Sequence, residues 1–321
     1  MVNKKTLLMC LRFIVSFGLL ATLLWIMRKD IGNIGSILKN CNKAFLIIAL
    51  VINIAPTILM GLRLKLLLKG QKIFMGMKDS VYLTFIGFFF NNFLPTAIGG
   101  DIAKAYYASK KTNNKLGSYA AVLSDRLFGF IATMFIAVIG LVFIGRTLNN
   151  NALFYSILII FIASSAITFF LFNRKAGDQT FSGTGVINKI KGKIYQLYSA
   201  INLYRNHKLL MTRIVLLSIL MQGCAIVSIY FFVLSIGGSI PLLKLFLIIP
   251  LVWAVSMVPS INGLGVREGA FVYFLKGDMG TERAFAISLL WLGVIILYSI
   301  AGGILHLVYP VKVKKLSRDD F

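Results

Sequence analysis

Six charged side chains stand in stretches that are otherwise apolar. Asp101 and Lys104 follow the glycine pair Gly99 and Gly100 in FFFNNFLPTAIGGDIAKAYY, Arg267 and Glu268 follow Gly263 and Gly265 in VPSINGLGVREGAF, and Asp125 and Arg126 open the run LFGFIATMF. Charges at membrane depth are costly, are usually paired, and tend to line the path of a substrate or proton. Cations beside a helix start are the groups that hold a phosphate. On this reading Arg267, Arg126 and Lys104 hold a lipid phosphate, while Glu268, Asp101 and Asp125 orient them or take up protons. The structural alternative is an ion pair joining two helices, with Asp101 also able to cap a helix whose Lys104 lies one turn on. Asn91, Asn92 and Asn262 lie near the prolines, where asparagine caps freed backbone or contacts a headgroup; capping is its commoner use.

These residues sit at two interruptions of similar plan. An apolar run reaches Pro95, breaks over a polar and glycine-rich segment, and restarts; a second run does the same at Pro259. The prolines are 164 residues apart, and Gly99 and Gly263 keep that spacing. Breaking a helix at membrane depth frees N–H and C=O groups that lipid cannot satisfy, so such breaks persist only against protein or a watery cavity. Paired breaks in two halves of a chain point to a transporter binding site. Two polar loops between ordinary spans would give a similar pattern, since membrane helices tolerate proline and glycine.

Composition places these breaks in a membrane. Hydrophobic residues make up 58% of the 321 positions and charged ones 14%, with a mean hydropathy of +0.86, which excludes a soluble domain with a single anchor. The 34 Lys and Arg against 10 Asp and Glu give a net charge of +24. In a soluble protein that excess would point to nucleic acid; here it sits in short loops, where it sets orientation and meets anionic lipid. Cys10, Cys41, Cys224, His207 and His306 are scattered, so neither a metal site nor a cofactor is expected. GLGVREG lacks the surrounding βαβ unit of a nucleotide fingerprint.

The expected fold is an all-α polytopic membrane protein of two inverted-topology repeats, each with about three spanning helices and one re-entrant hairpin. Residues 1–150 form the first repeat, with its break near 95–101, and 151–321 the second, with its break near 259–268. Spans are expected at Leu7–Met27, Ala44–Leu62, Tyr119–Gly145, Asn151–Phe172, Ile214–Ile236 and Ala284–Tyr309. Arg63 and Lys65 are assigned to a cytoplasmic loop, and the basic ends place both termini in the cytoplasm. Val186–Arg205 puts Ile187, Ile190, Ile194, Leu197, Tyr198, Ile201 and Tyr204 on one stripe. That is an amphipathic basic helix, lying on the inner membrane surface or packed on the membrane domain.

Three segments in this order, FLPTAIGGDIAKAY, SDRLFGF and VPSINGLGVREGAF, resemble the lysylphosphatidylglycerol synthase transmembrane region, also called the UPF0104 or flippase-like family. The resemblance covers nearly the whole chain. It implies a lipid translocase of the cytoplasmic membrane, moving an anionic or headgroup-modified lipid such as an aminoacyl-phospholipid or a polyprenyl-phosphate-linked glycolipid, with a lipid-modifying synthase as a candidate partner. Its shared core includes Pro95, Gly99, Gly100, Asp101, Asp125, Arg126, Pro259, Gly263, Gly265, Arg267 and Glu268. Lys104 stands where members often carry arginine. The bifunctional relative has a large soluble synthase after its membrane part, whereas this chain ends at Phe321, so lysyltransferase activity is not expected. The competing functional classes are an integral-membrane glycosyl- or acyltransferase using a lipid-linked donor, and an accessory subunit of a cell-envelope lipid synthase.

Overall fold

The computed structural model describes residues 17–308 apart from 20, 24, 26, 29, 94–98, 145–150, 174–185, 259 and 261. Pro95, Pro259, the basic tail and much of the expected first span therefore lie outside the described residues. Among the described residues the chain is helical throughout, without strands. Helical runs at 17–19 and 21–23 precede α1 (Ile31–Lys39), α2 (Lys43–Gly70), α3 (Met77–Phe93), α4 (Gly99–Thr112), α5 (Lys115–Ile144) and α6 (Asn151–Asn173). There follow α7 (Val186–Asn202), a 3₁₀ turn (Leu203–Asn206), α8 (Lys208–Ser235), α9 (Leu242–Val255), α10 (Val266–Met279) and α11 (Thr281–Val308).

Four of these, α2, α5, α8 and α11, are long and apolar enough to cross a membrane. At about 1.5 Å per residue, the 28 residues of α2 exceed the hydrocarbon thickness of a bilayer. Its two faces differ as the bilayer requires. Ile47, Val51, Ile54 and Ile58, spaced four, three and four apart, are exposed, whereas Ala49, Asn53, Thr57, Leu64 and Leu68 on the other side are buried. The buried side lies along α8. Asn42 fixes the start of α2, its side-chain oxygen accepting from the Ala44 and Phe45 N–H groups at 3.0 and 3.4 Å.

The apolar core falls into two main clusters. One gathers Leu64, Leu67, Ile86, Ala120 and Tyr204; the other gathers Phe232, Leu245, Phe271 and Phe285. Besides these, α3 packs on α11, and α9 packs on α5 around a smaller cluster of Ala137, Leu141, Ile157 and Leu247. Both crossings depend on glycine. Gly302 lies against the Phe85 carbonyl, and a Cβ at Gly140 would come within 2.6 Å of the Leu247 nitrogen. Small residues let helix backbones approach in lipid, where burial of apolar surface gives no drive for association. Gly302→Leu is therefore expected to lower the thermal unfolding midpoint in detergent by an overpacking cost of roughly 1–3 kcal/mol or more. Gly293→Leu, at a glycine with open space around it, should leave the midpoint nearly unchanged.

One sequence expectation needs correction. The second span does not end at Leu62: α2 continues to Gly70 and carries Arg63 into the protein instead of into a loop. Nothing in GLRLKLLLKG breaks a helix before Gly70, and Leu64, Leu67 and Leu68 pack on the core. The helix expected to run to Arg205 ends at Asn202 and tightens into the 3₁₀ turn. Of its stripe, Ile201 and Tyr204 are buried and Leu197 packs on the same core, so this end is seated on the helical bundle. The Tyr204 hydroxyl donates to the Leu67 carbonyl at 2.7 Å, and burial raises its pKa.

Candidate functional site

At the first break, α3 turns back along α4. The two helices face each other in antiparallel register, with Gly87 against Lys104 and Asn91, one turn further along α3, against Gly100. The Asn91 side-chain oxygen accepts the Gly100 N–H at 2.8 Å, which caps the restarting helix. A Cβ on Gly100 would meet the Gly87 carbonyl, so the pair of helices could not close with any larger residue there.

The second break is a left-handed turn. Asn262, Gly263 and Gly265 have φ of 48°, 77° and 80°, a region open to glycine and tolerated by asparagine. The turn ends at the N-terminus of α10, where Glu268 accepts the Gly265 N–H at 2.6 Å through Oε2. Its Oε1 accepts Arg267 Nη2 at 2.6 Å and Nε at 3.1 Å. Both carboxylate oxygens of Glu268 are thus engaged, and the side chain is fully buried. Arg267 Nη1 also donates to the Asn262 carbonyl at 3.4 Å.

The two breaks meet. Asn262 donates through Nδ2 to the Asn92 side-chain oxygen, and Asn92 donates to Ser299 Oγ on α11. Between the breaks lies a cavity of about 410 Å³, lined by Asn91, Asn92, Arg126, Asn262, Gly263 and Arg267 together with Trp253, Trp291, Phe88 and Tyr298. A second chamber of about 250 Å³ adjoins it and holds Asp101, Lys104, Asp125 and Arg63. Arg126, Asn91, Gln222 and Trp253 line both.

The charges pair in a way their order in the chain does not suggest. Asp125 does not serve its neighbour Arg126 but accepts from Arg63 Nε at 2.6 Å, both side chains being almost wholly buried. Arg63 also donates to Ser218 Oγ at 3.0 Å. Arg126 pairs with Asp101, whose other oxygen lies 3.4 Å from Lys104 Nζ. The side chain of Arg126 is 37% exposed, against 3% for Arg63, 3% for Lys104 and 5% for Arg267. Arg126 is therefore the most open cation of the set, and Lys104 is held inside, its stem against Gly87. Among the described residues here, four cations face three carboxylates, which leaves one positive charge in excess.

Of the expected site residues, Asn92, Arg126, Asn262, Gly263 and Arg267 line the first chamber and Asp101, Lys104, Asp125 and Arg126 the second, while Glu268, Gly265, Gly99 and Gly100 line neither, and Pro95 and Pro259 lie outside the described residues. Sequence reasoning missed Arg63, Asn53, Gln222, Trp253, Trp291 and Tyr298. Arg63 begins a cationic run and so reads as a loop residue. Asn53 was legible as the lone amide of an apolar span; it donates to Ser228 Oγ at 3.0 Å and accepts from the Tyr298 hydroxyl at 3.0 Å. Among the described residues no group of three or more His, Cys, Asp or Glu is placed to hold a metal.

Comparison with known proteins assigns nearly the whole chain to one family. The family model described as the lysylphosphatidylglycerol synthase TM region matches residues 10–302. A UPF0104 membrane protein of Pyrococcus horikoshii is 25% identical over 92% of this chain and 96% of its own length. A UPF0104 membrane protein of Methanothermobacter thermautotrophicus is 23% identical over 81% of this chain and 83% of its own length. The chain is a membrane protein and belongs to the lysylphosphatidylglycerol synthase transmembrane-region family.

Proposed function

We propose that this protein is a lipid translocase of the cytoplasmic membrane, passing the headgroup of an anionic or headgroup-modified lipid between its two broken helices while the tails stay in the bilayer. The observation that carries the reading is the cavity shared by the two breaks, with Arg126 and Arg267 on its wall and the N-terminus of α10 beside it. A helix N-terminus with an arginine is a receptor for a phosphate, and a polar cavity bounded by apolar helices is a passage that lipid tails need not enter.

The arrangement of the halves supports alternating access. The lengths 28, 17, 14 and 30 residues for α2–α5 return as 28, 14, 14 and 28 for α8–α11. Contacts exchange in the same way: Asn53 reaches Ser228 while Arg63 reaches Ser218, each residue and its counterpart being 165 positions apart. Inverted repeats around a midplane site are a common plan of secondary transporters, and two-fold exchange of contacts is what such a plan requires. A glycosyl- or acyltransferase would need a carboxylate available as a base or metal ligand. Here Asp101, Asp125 and Glu268 each pair with a cation.

The test is headgroup accessibility in proteoliposomes, using labelled anionic lipids and an impermeant quencher. Wild-type protein should speed exposure of inner-leaflet label. Arg126→Gln, at the most open cation, should slow it by about tenfold, the scale of one charge-assisted hydrogen bond, with little loss of stability. Equal rates with and without folded wild-type protein, for every anionic lipid, would end the reading.

A further inference from the structure

Where α1 stops, α2 begins and the end of α8 meets the start of α11, the bundle carries a polar depression of about 430 Å³. It shares no lining residue with either chamber between the breaks. Arg283 lines it, and this cation has neither an ion pair nor a hydrogen bond with any described residue. The Asn40 side chain, in the same lining, bonds to no described residue either. Asn42 fixes the start of α2 through its side-chain oxygen, which leaves its Nδ2 as a donor without an acceptor among the described residues. The hydroxyls of Ser36 and Ser235, by contrast, donate to the Asn33 and Phe232 carbonyls at 2.7 and 2.8 Å. No Asp or Glu lines the depression, and exposed Lys39 and Lys43 adjoin Asn40 and Asn42 in the chain. At the other end of α2 and α8 the junction is filled: the Tyr204 ring lies against Gly70, and Gln71 Nε2 donates to the Ala200 carbonyl at 2.7 Å.

We propose that this depression is a second, separate binding site, which holds the phosphate of an anionic phospholipid as a resident ligand and not as cargo. A guanidinium and two amide N–H groups in need of acceptors, in a lining without a carboxylate, specify an anion, and the fork of Arg283 suits the oxygens of a phosphate. Basic pockets between membrane helices are receptors for phosphorylated headgroups. The position favours a lipid over a free anion. Lys43 stands one turn before Ile47, and Ile47, Val51, Ile54 and Ile58 are the exposed apolar residues of α2. A headgroup in the depression is therefore at the level where that apolar surface begins, and its tails can lie along it. The charge pattern agrees. Lys69 and Lys72 mark the opposite end of α2, where basic residues set orientation. Orientation gives no reason for Lys39, Lys43 and Arg283 at this end, whereas an anion to be held does. A zwitterionic headgroup would bring an ammonium to a lining of cation and amide donors, and like charge opposes it. This inference does not rest on the translocase reading.

Gly35 is exposed on α1 beside Ser36, with open space around it. A fluorophore on Gly35→Cys, in a background with Cys10, Cys41 and Cys224 replaced by alanine, therefore reports on the depression in the detergent-purified protein. Three probes are titrated: short-chain phosphatidylglycerol, short-chain phosphatidylcholine and inorganic phosphate. Phosphatidylglycerol should shift the emission saturably and bind about tenfold tighter than phosphatidylcholine, the scale of one charge-assisted hydrogen bond. Inorganic phosphate, with no tails to lay on α2, should bind about tenfold more weakly than phosphatidylglycerol. Arg283→Gln should bring phosphatidylglycerol to within about twofold of phosphatidylcholine. Equal binding of the two lipids by the labelled parent, or inorganic phosphate binding as tightly as phosphatidylglycerol, overturns the proposal, whether or not Arg283→Gln folds. An undiminished preference in a folded Arg283→Gln overturns it too. So does loss of the shift in Arg126→Gln, which would place the signal in the cavity between the breaks.

Discussion

An Asp125→Ala variant should be among the least stable single mutants of this protein, and a variant lacking both Asp125 and its partner should recover most of the loss. The pair Arg63–Asp125 is almost wholly buried, with Ser218 as its third member. Removing the carboxylate leaves a guanidinium without its counter-charge in a low-dielectric interior, at a cost of roughly 3–5 kcal/mol. Removing both charges discards the desolvation penalty along with the attraction, so Arg63→Met with Asp125→Leu should stand within about 2 kcal/mol of wild type. Unfolding of the purified variants in detergent, followed by circular dichroism, measures this. A double variant as unstable as Asp125→Ala would show that the two residues act through other contacts.

The second large effect is expected at Arg267. Alanine there removes a charge-assisted contact to the phosphate and should lower translocation by about ten- to hundredfold. It also strands Glu268, which is fully buried and would keep only the Gly265 N–H as partner. Two further variants separate these effects. Arg267→Lys keeps a charge beside Glu268 and should restore much of the stability. A single ammonium does not reproduce the fork that donates to Glu268 through Nε and Nη2 and to the Asn262 carbonyl through Nη1, so translocation should stay low. Glu268→Gln keeps the cap on Gly265 but not the charge that orients Arg267, and should lose both stability and rate. Rates and unfolding midpoints measured on the same preparations check the three variants together. Full translocation in a folded Arg267→Ala would remove this residue from the site.

Much of the site was legible because membrane depth makes polar residues conspicuous. Gly99, Gly100, Gly263 and Gly265 interrupt apolar runs, and Asp101, Arg267 and Glu268 stand beside them as charges in otherwise apolar surroundings. Around the breaks expected near 95–101 and 259–268, α3 ends at Phe93 and α4 begins at Gly99, while α9 ends at Val255 and α10 begins at Val266. What the sequence did not reveal is pairing. Asp125 adjoins Arg126 in the chain, but successive residues on a helix point about 100° apart, so the two turn to different neighbours: Asp125 to α2 and Arg126 to the restart of α4. Arg63 was misplaced because a cationic run ordinarily marks a helix leaving the membrane. Here α2 continues past that point as a helix, and its first cation turns inward. The indoles that shape the cavity were invisible for a plainer reason: tryptophan is common in membrane helices, and only the fold brings Trp253 and Trp291 together.

The central claim is that a headgroup passes through the cavity between the breaks, and a plug in that cavity tests it most directly. Val294 is buried and lines the cavity from α11. In a background with Cys10, Cys41 and Cys224 replaced by alanine, Val294→Cys is reconstituted and translocation is measured before and after modification with a bulky membrane-permeant maleimide. Translocation should stop as labelling approaches completion, while the cysteine-free parent treated identically is unaffected. Undiminished translocation at full labelling of Val294→Cys would contradict the claim, because the headgroup would then be crossing elsewhere.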